Sequence, residues 1–506
     1  MKGFDVLYDP WIPVIRQNGK RDCLGIISTL EQAHELKEVL CDDLLETYAV
    51  QRLLIAFVMD AYWSTGQLRT VSDRRSLYQR GYFDCDVLKA YVDLCKTEGS
   101  CFDLFDKERP FMQSAFCKEL DENKRTGVSK LFIHLPRDNT PIHFEHSKPG
   151  KLAVSPSKCL PALLATYCFS VAMVQGYPSS VNGSPCYYFL IHEDNLFKTL
   201  VLSSVSQYEQ GQQNNNMPVA WRDRDIVVPK EAFAEMSVLS AFTWQPRRIS
   251  LIRDDDGLIR EVYYQQGRNY MPIGQWRDPH TALRVSSKGE LFLLKPSLGR
   301  ALWRDIGCFG ATSGNTGISP RIVENYSKIR GMGIPCPVEA FGIVTNKASL
   351  IALAYDRLQI PDCICEEQEK AKRLTLDLIF IEDLASMLSN FLLRMEYQIS
   401  ERDKMNSKIK RSELTDEAQT KFFSKMQIYI TGEYFAMLEA ADTSVEWEDP
   451  IINSVNETVK KCVLETLNDA KRGLGTSARQ LQAQAGNERT LLVILNKKMK
   501  ERVAYE

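Results

Sequence analysis

The stretch "RLQIPDCICEEQEKAKRLTLDLIFIEDLASML", Arg357 to Leu388, decides how the chain is divided. The character of the chain changes at Pro361, and everything beyond it is written in long helical patterns. "EEQEKAKRLTLDLIFIEDLASMLSNFLLRMEYQI" is the first, followed by "TDEAQTKFFSKMQIYITGEYFAMLEAA", "INSVNETVKKCVLETLNDAKRG" and "SARQLQAQAGNERTLLVILNKKMKE". Four amphipathic segments in succession, joined mostly by short polar links, predict an antiparallel four-helix bundle over residues 362–506. No repeat of fixed period is present, which argues against a solenoid.

Upstream of Pro361 the pattern changes. From Val128 onward, short β-rich runs such as "CYYFLI", "RRISLI" and "LIREVYY" alternate with turns rich in Pro, Gly and Asn. "TALRVSS" and "ELFLLK" flank Lys288-Gly289 as a hairpin, and helices are expected at Pro161 to Val174 and Gly299 to Ile306. "QGQQNNNMP" (Gln210 to Pro218) reads as a loop. Before Val128 the section is helical. Asn18-Gly19 signals a first hairpin, and Ser28 with Glu31 forms a capping-box start for "STLEQAHELKEVL". Asp43 starts "LLETYAVQRLLIAFVMDAYW", which is apolar around most of its circumference and so is expected to be buried on several sides. A further helix runs from Asp86 to Thr97.

The expected fold is α+β. An irregular mixed domain fills 1–361, with a helical lead section 1–127 and a β-rich section 128–361, and the bundle follows. A chain of 506 residues exceeds one core, and about three sections match its length. With 44% hydrophobic and 25% charged residues, the composition is ordinary for a globular protein. The net charge of -2 gives no whole-chain footprint for nucleic acid or membranes, yet leaves room for a local basic patch. Fourteen scattered cysteines fit reduced intracellular thiols. The start "MKGFDVLYDPWIPV" has no apolar signal region, and the apolar run after Pro161 is too short to span a bilayer. These features predict a cytoplasmic protein without membrane partners.

Catalytic motifs are missing. Gly19-Lys20 and Gly150-Lys151 lack the Ser or Thr of a phosphate loop, and neither G-x-S-x-G nor H-E-x-x-H occurs. His134, His143 and His146 share a segment with Cys159 nearby, but a polar hairpin explains that grouping more simply than a metal site. Cys363-x-Cys365 lacks a second pair. "RDDDGLIR" reads as a solvated turn at Asp256-Gly257. Asp377, Glu382 and Asp383 read as a charged outer surface of the first bundle helix. No enzyme, no metal and no cofactor is expected. Basic residues give better leads: Arg321, Lys328, Arg330 and Lys347, and among aromatics Arg268, Lys288 and Lys295, a mixture suited to phosphate contacts and base stacking.

In "FGIVTNKASLIAL", Phe341 to Leu353, a β-branched run ends at Thr345-Asn346 and an apolar helix is expected from Ala348, with Asn346 as its cap. Together with "FDVLYDPWIPV", "STLEQAHELKEV", "RPFMQ", "VSKLFIHLPRDNTPIHFEH", "NGSPCYYFLI", "IGQWRDPHTAL" and "LGRALWRDI", this segment resembles the CasA-type large subunit of the type I-E CRISPR Cascade surveillance complex. The likeness extends over essentially the whole chain. It implies a non-catalytic subunit that contacts the 5′ handle of crRNA and recognises a protospacer-adjacent motif in double-stranded DNA. It also implies promotion of R-loop formation, recruitment of a helicase-nuclease, and the other Cascade subunits as partners.

By the same resemblance, "TNKAS" corresponds to a wedge at the first base pairs, with Asn346 matching, Lys347 where Gln is familiar, and Ala348 beside it. "HFEH" corresponds to the handle-binding loop, giving Phe144 and His146 that role. "VQGYPSSVNG" corresponds to a Gly-rich minor-groove loop, with Gly176 and Gly183 retained and Val174 and Gln175 replacing glycines. Arg268 is the cation nearest the expected basic fingertip. The Gln-to-Lys change and the lost glycines imply relaxed motif reading. The competing function class is a scaffold or regulatory subunit that makes only protein contacts.

Overall fold

The computed structural model describes residues 3–114, 124–135, 152–172, 176–183, 186–210, 217–223, 232–270, 276–286, 288–311, 317–346, 349–399 and 412–505. The chain divides into two compact units. One comprises 1–298 and 319–358, the other 299–318 and 359–506.

The first unit opens with a three-stranded antiparallel sheet, in which β1 (Ile12–Arg16) lies between β2 (Arg21–Leu24) and β3 (Leu36–Val39). The Asn18-Gly19 turn forms as expected, with Gly19 at φ 81°. The capping box at Ser28 does not form. The helix there is only Ile26–Glu31, capped at Gly25 without a side-chain bond, and the chain then turns to pair β3 with β1. Sheet pairing overrides the helical propensity of "AHELKEV".

Helix α1 (Leu44–Ser64) is the axis of this unit. The Asp43 carboxylate accepts the Leu45 N–H at 2.7 Å and caps it. Every residue from Leu45 to Trp63 is buried, Arg52 and Asp60 included. Helix α2 (Pro156–Phe169) packs on α1, starting five residues earlier than the sequence pattern suggests and carrying Pro161 inside it.

Strand β4 (Tyr188–Ile191) belongs to a second sheet. β5 (Arg247–Arg253) and β6 (Ile259–Gln266) form a hairpin whose turn at Gly257 has φ 83°. There Asp254 and Asp256 both bind Arg260 at 2.6 Å, which accounts for the acidic cluster as a turn.

The largest departure from expectation follows Asn346. β7 (Cys336–Asn346) is succeeded by β8 (Ser349–Ile360), a strand where a helix was expected, and the sheet order is β8-β7-β4. The run "LIALAY" is apolar throughout and carries no helical period. As a strand it alternates, with Ile351, Leu353 and Tyr355 outward. Asn346 therefore ends a strand and caps no helix.

The second unit contains α3 (Gln368–Ile399), α4 (Glu413–Tyr429), α5 (Glu448–Arg472) and α6 (Ala478–Tyr505), which pack on one another. A π-helical turn, Ile430–Tyr434, extends α4 into a short helix Phe435–Ala440. Residues 299–318 join this unit through the 3₁₀ segment Leu302–Phe309, which was expected as Gly299 to Ile306. Trp303 there is 2% exposed, and Arg304 lies 3.4 Å over the Phe423 ring.

Asp377 does not belong to an outer surface. It is fully buried, with Arg373 at 2.8 Å one helical turn back, the Tyr434 hydroxyl donating at 2.6 Å, and Arg502 of α6 also paired with it. Burial forces a carboxylate to find cations, and the i, i+4 spacing supplies the first. Glu382 is likewise engaged, by Arg300 at 3.0 Å and Arg304 at 2.7 Å. Only Asp383, half exposed beside Lys498, fits the surface reading.

Candidate nucleic-acid interface

The sheet β8-β7-β4 sets the end of β7, at Asn346, on the side where β4 begins. Its antiparallel register pairs Val338 with Ile191 and Phe341 with Tyr188. Progress along β7 towards Asn346 is thus progress towards the start of β4, where the segment holding Gly176 to Tyr187 arrives. Asn346 is exposed and lies five residues past Phe341, about 17 Å of extended chain. Gly342 makes the close approach possible. A methyl group on it would come within 3.1 Å of both the Cys186 carbonyl and the Pro296 ring.

Lys347 and Ala348, which follow Asn346, lie outside the described residues, as do Phe144 and His146. Gly176 is exposed at φ 78°, a conformation that only glycine adopts freely. Arg268 is a correction to its role as a fingertip. It is 6% exposed, bonded to Asp223 at 2.5 Å and stacked 5.1 Å over Phe233. A guanidinium buried against its own carboxylate cannot reach a phosphate without losing both contacts.

Behind this end lies a buried polar network that sequence reasoning missed. Arg52 of α1 bonds Asp278 at 2.5 Å and donates to the Tyr48 hydroxyl at 2.7 Å, with its guanidinium 3.9 Å over Phe242. His280 Nε2 lies 2.8 Å from the Ser203 carbonyl, which can only accept, so Nε2 carries the proton. Nδ1 then accepts from Tyr48 at 3.2 Å. Burial first, and the Arg52 charge second, push His280 down to about 4, keeping it neutral. Burial works to raise the Asp278 carboxyl, but the Arg52 guanidinium outweighs it and holds it below the usual range. Asp278 also accepts from Asn182 at 2.6 Å, which ties the loop before β4 to α1. The one arginine of a largely apolar helix was the available signal.

The root of the segment leading to Phe144 is also charged. His134 faces Asp43 at 3.4 Å, and hydrogen bonding to Asp43 raises its pKa. Glu46, one turn into α1, is 7% exposed. Burial, then the Asp43 charge, push its carboxyl from 4.5 to about 7. Cys159 is fully buried. Among the described residues, no group of three His, Cys, Asp or Glu could hold a metal ion. His143 and His146 lie outside them. Among the same residues, no helix is long and apolar enough to cross a membrane.

The sequence profile of the family described as CRISPR-associated protein Cse1 matches residues 5–466. The chain belongs to the Cse1 family. CasA/Cse1 of Thermus thermophilus is 24% identical over 514 residues, covering 96% of each chain. The crystal structure of the Thermus thermophilus CasA superposes with a TM-score of 0.78 at 22% identity, over 98% of this chain and all of that one. Thermobifida fusca Cse1 gives 0.77 at 17% identity, with 98% of each chain covered. A chain of a CRISPR RNA-guided surveillance complex gives 0.76 at 17%, over 97% of this chain and all of that one. The Cse1 fold thus spans both units.

Proposed function

We propose that this chain is the large subunit of a type I-E Cascade complex, with crRNA, double-stranded target DNA, the other Cascade subunits and a helicase-nuclease as its partners in the cytoplasm. It performs no catalysis. The segment carrying Phe144 and His146 contacts the 5′ handle of the crRNA. The β7–β8 hairpin, through Asn346, Lys347 and Ala348, and the loop at Gly176 address the protospacer-adjacent motif and start R-loop formation. Arg268 serves as a brace for Asp223 and Phe233. The domain reading that accompanies this is an inspecting body before Pro361 and a helical bundle after it, the bundle recruiting segment 299–318.

The observation that carries the reading is that β7 ends at an exposed Asn346 and its sheet neighbour β8 begins at Ser349, so the chain between them springs from two paired strands. A hairpin is a stiffer wedge than a helix start, because both of its legs are held by the sheet. A protein that reads a short motif and opens the adjacent pairs needs such a rigid edge, while guide pairing reads the rest.

The test is the affinity of the reconstituted complex across a randomised motif library at fixed salt, for the parent, Lys347→Ala and Lys347→Gln. Lys347→Ala is expected to impair duplex unwinding more than assembly, and to lower the slope of log K against log salt by about 0.9 if one phosphate contact is lost. Lys347→Gln is expected to retain binding and narrow the accepted motifs. Identical profiles for all three proteins would reduce Lys347 to surface charge. Salt-independent duplex binding would favour a scaffold that contacts only proteins.

A further inference from the structure

Arg247, the first residue of β5, is 1% exposed and spends its guanidinium on backbone carbonyls rather than on a carboxylate. Nη2 donates to the Val171 carbonyl at 2.9 Å, and Nη1 donates to the Pro178 carbonyl and to Pro246 at 2.9 Å. Nε donates to the Tyr264 hydroxyl at 3.0 Å. Val171 and Pro178 stand on either side of Gly176, so one planar group bridges the two legs of the loop. The Ser180 N–H donates to the Ser170 carbonyl at 2.9 Å just behind it, and the Tyr177 ring lies 5.2 Å from the guanidinium. Further along, Asn182 is fixed to Asp278.

We infer that Arg247 is a positioning residue for duplex inspection: it closes the neck of the loop and sets where Gly176 and Tyr177 stand. This rests on the proposed reading of that loop as a DNA-facing element. Backbone atoms that approach a minor groove must be held to a fraction of an ångström, and a loop tip has no ladder of its own to hold it. A planar fork of donors reaches two legs at once. A lysine carries its three N–H donors on one nitrogen and cannot fill the three separate nitrogen positions in use here.

The test uses the assembled complex and two probes, a motif-bearing duplex and a single-stranded target complementary to the guide. The single strand needs neither motif nor unwinding, so loss of loop position leaves its binding unchanged. Arg247→Lys is expected to assemble, to bind the single strand like the parent, and to bind the duplex about tenfold more weakly. Tyr264→Phe removes one bond from the guanidinium while keeping the ring that lies 6.0 Å from Tyr177, and a smaller loss of the same kind is expected. Equal weakening on both probes would make Arg247 a general structural residue and overturn the inference, as would unchanged duplex binding. If Arg247→Lys does not assemble, a duplex-only loss in Tyr264→Phe supports the inference and parent-like duplex binding overturns it. A parent complex that binds scrambled-motif duplex as well as motif-bearing duplex would instead sink the inspection reading itself.

Discussion

Glu46→Gln is expected to stabilise the protein at neutral pH, by an amount that depends on pH in a defined way. The folded carboxyl sits at about 7 against an ordinary 4.5, because it is buried near the N-terminus of α1 and faces Asp43. Between those values the folded state keeps a proton that the unfolded chain releases. Stability contributed by this group is therefore lost as pH rises from about 4.5 to 7, and is flat above. At 1.36 kcal/mol per unit the full window is worth about 3 kcal/mol. Glutamine does not titrate, so the variant should gain on the parent through that window and hold the gain above pH 7. His134, raised chiefly by its hydrogen bond to Asp43 and least by Glu46, loses its own contribution as pH rises; the Asp43 part is common to parent and variant, and only the small Glu46 part enters the difference. Urea unfolding at half-unit steps from pH 4.5 to 8 measures the difference directly. A gap between variant and parent that does not change with pH would refute the reasoning, whatever its size.

Asp377→Ala should destabilise the second unit by about 3–5 kcal/mol, since it strands Arg373 and Arg502 inside the helices. Loss of helical circular dichroism at a lower temperature than in the parent checks it. Gly342→Val should push β7 away from Cys186 and Pro296 and lower the melting midpoint, while Gly289→Ala, in open space but at φ 79°, should cost only the backbone strain of about 1–2 kcal/mol. Phe144→Ala should leave the melting curve of the free chain unchanged and weaken its joining to the remaining subunits, a stacked base being worth about 1–3 kcal/mol. Co-purification yield against competitor parent chain would show it.

The elements that could be read in advance were those whose signals are local. Asp43 caps the helix that follows it, Asn18-Gly19 turns the first hairpin, and Asp256-Gly257 turns another, each within four residues. The misreadings share a different cause. "LIALAY" is apolar on both faces near Ala348, so only its hydrogen bonding to β7 decides that it is a strand. Asp377 looks like a surface acid until Tyr434 and Arg502, distant in sequence, arrive around it. Arg247 gave no sign at all, because three of its partners are backbone carbonyls, which no side-chain pattern encodes. Arg268 stood close to the expected place for a fingertip, but Asp223 claims it.

The division of the chain also has a consequence for its birth on the ribosome. β7, the middle strand of its sheet, emerges only after the segment 299–318 that belongs to the other unit has been made. β4 must wait for it through roughly ten seconds or more of translation, with its fully buried side chains Tyr188 to Ile191 lacking their partner. Trp303 waits in turn for α3 and α4. Each half thus leaves the tunnel holding an unmatched apolar surface. Slow codons or a bound chaperone between 192 and 336 would be felt in yield before they were felt in the finished structure. For the same reason, a gene split at 358 would hand 299–318 to the wrong product.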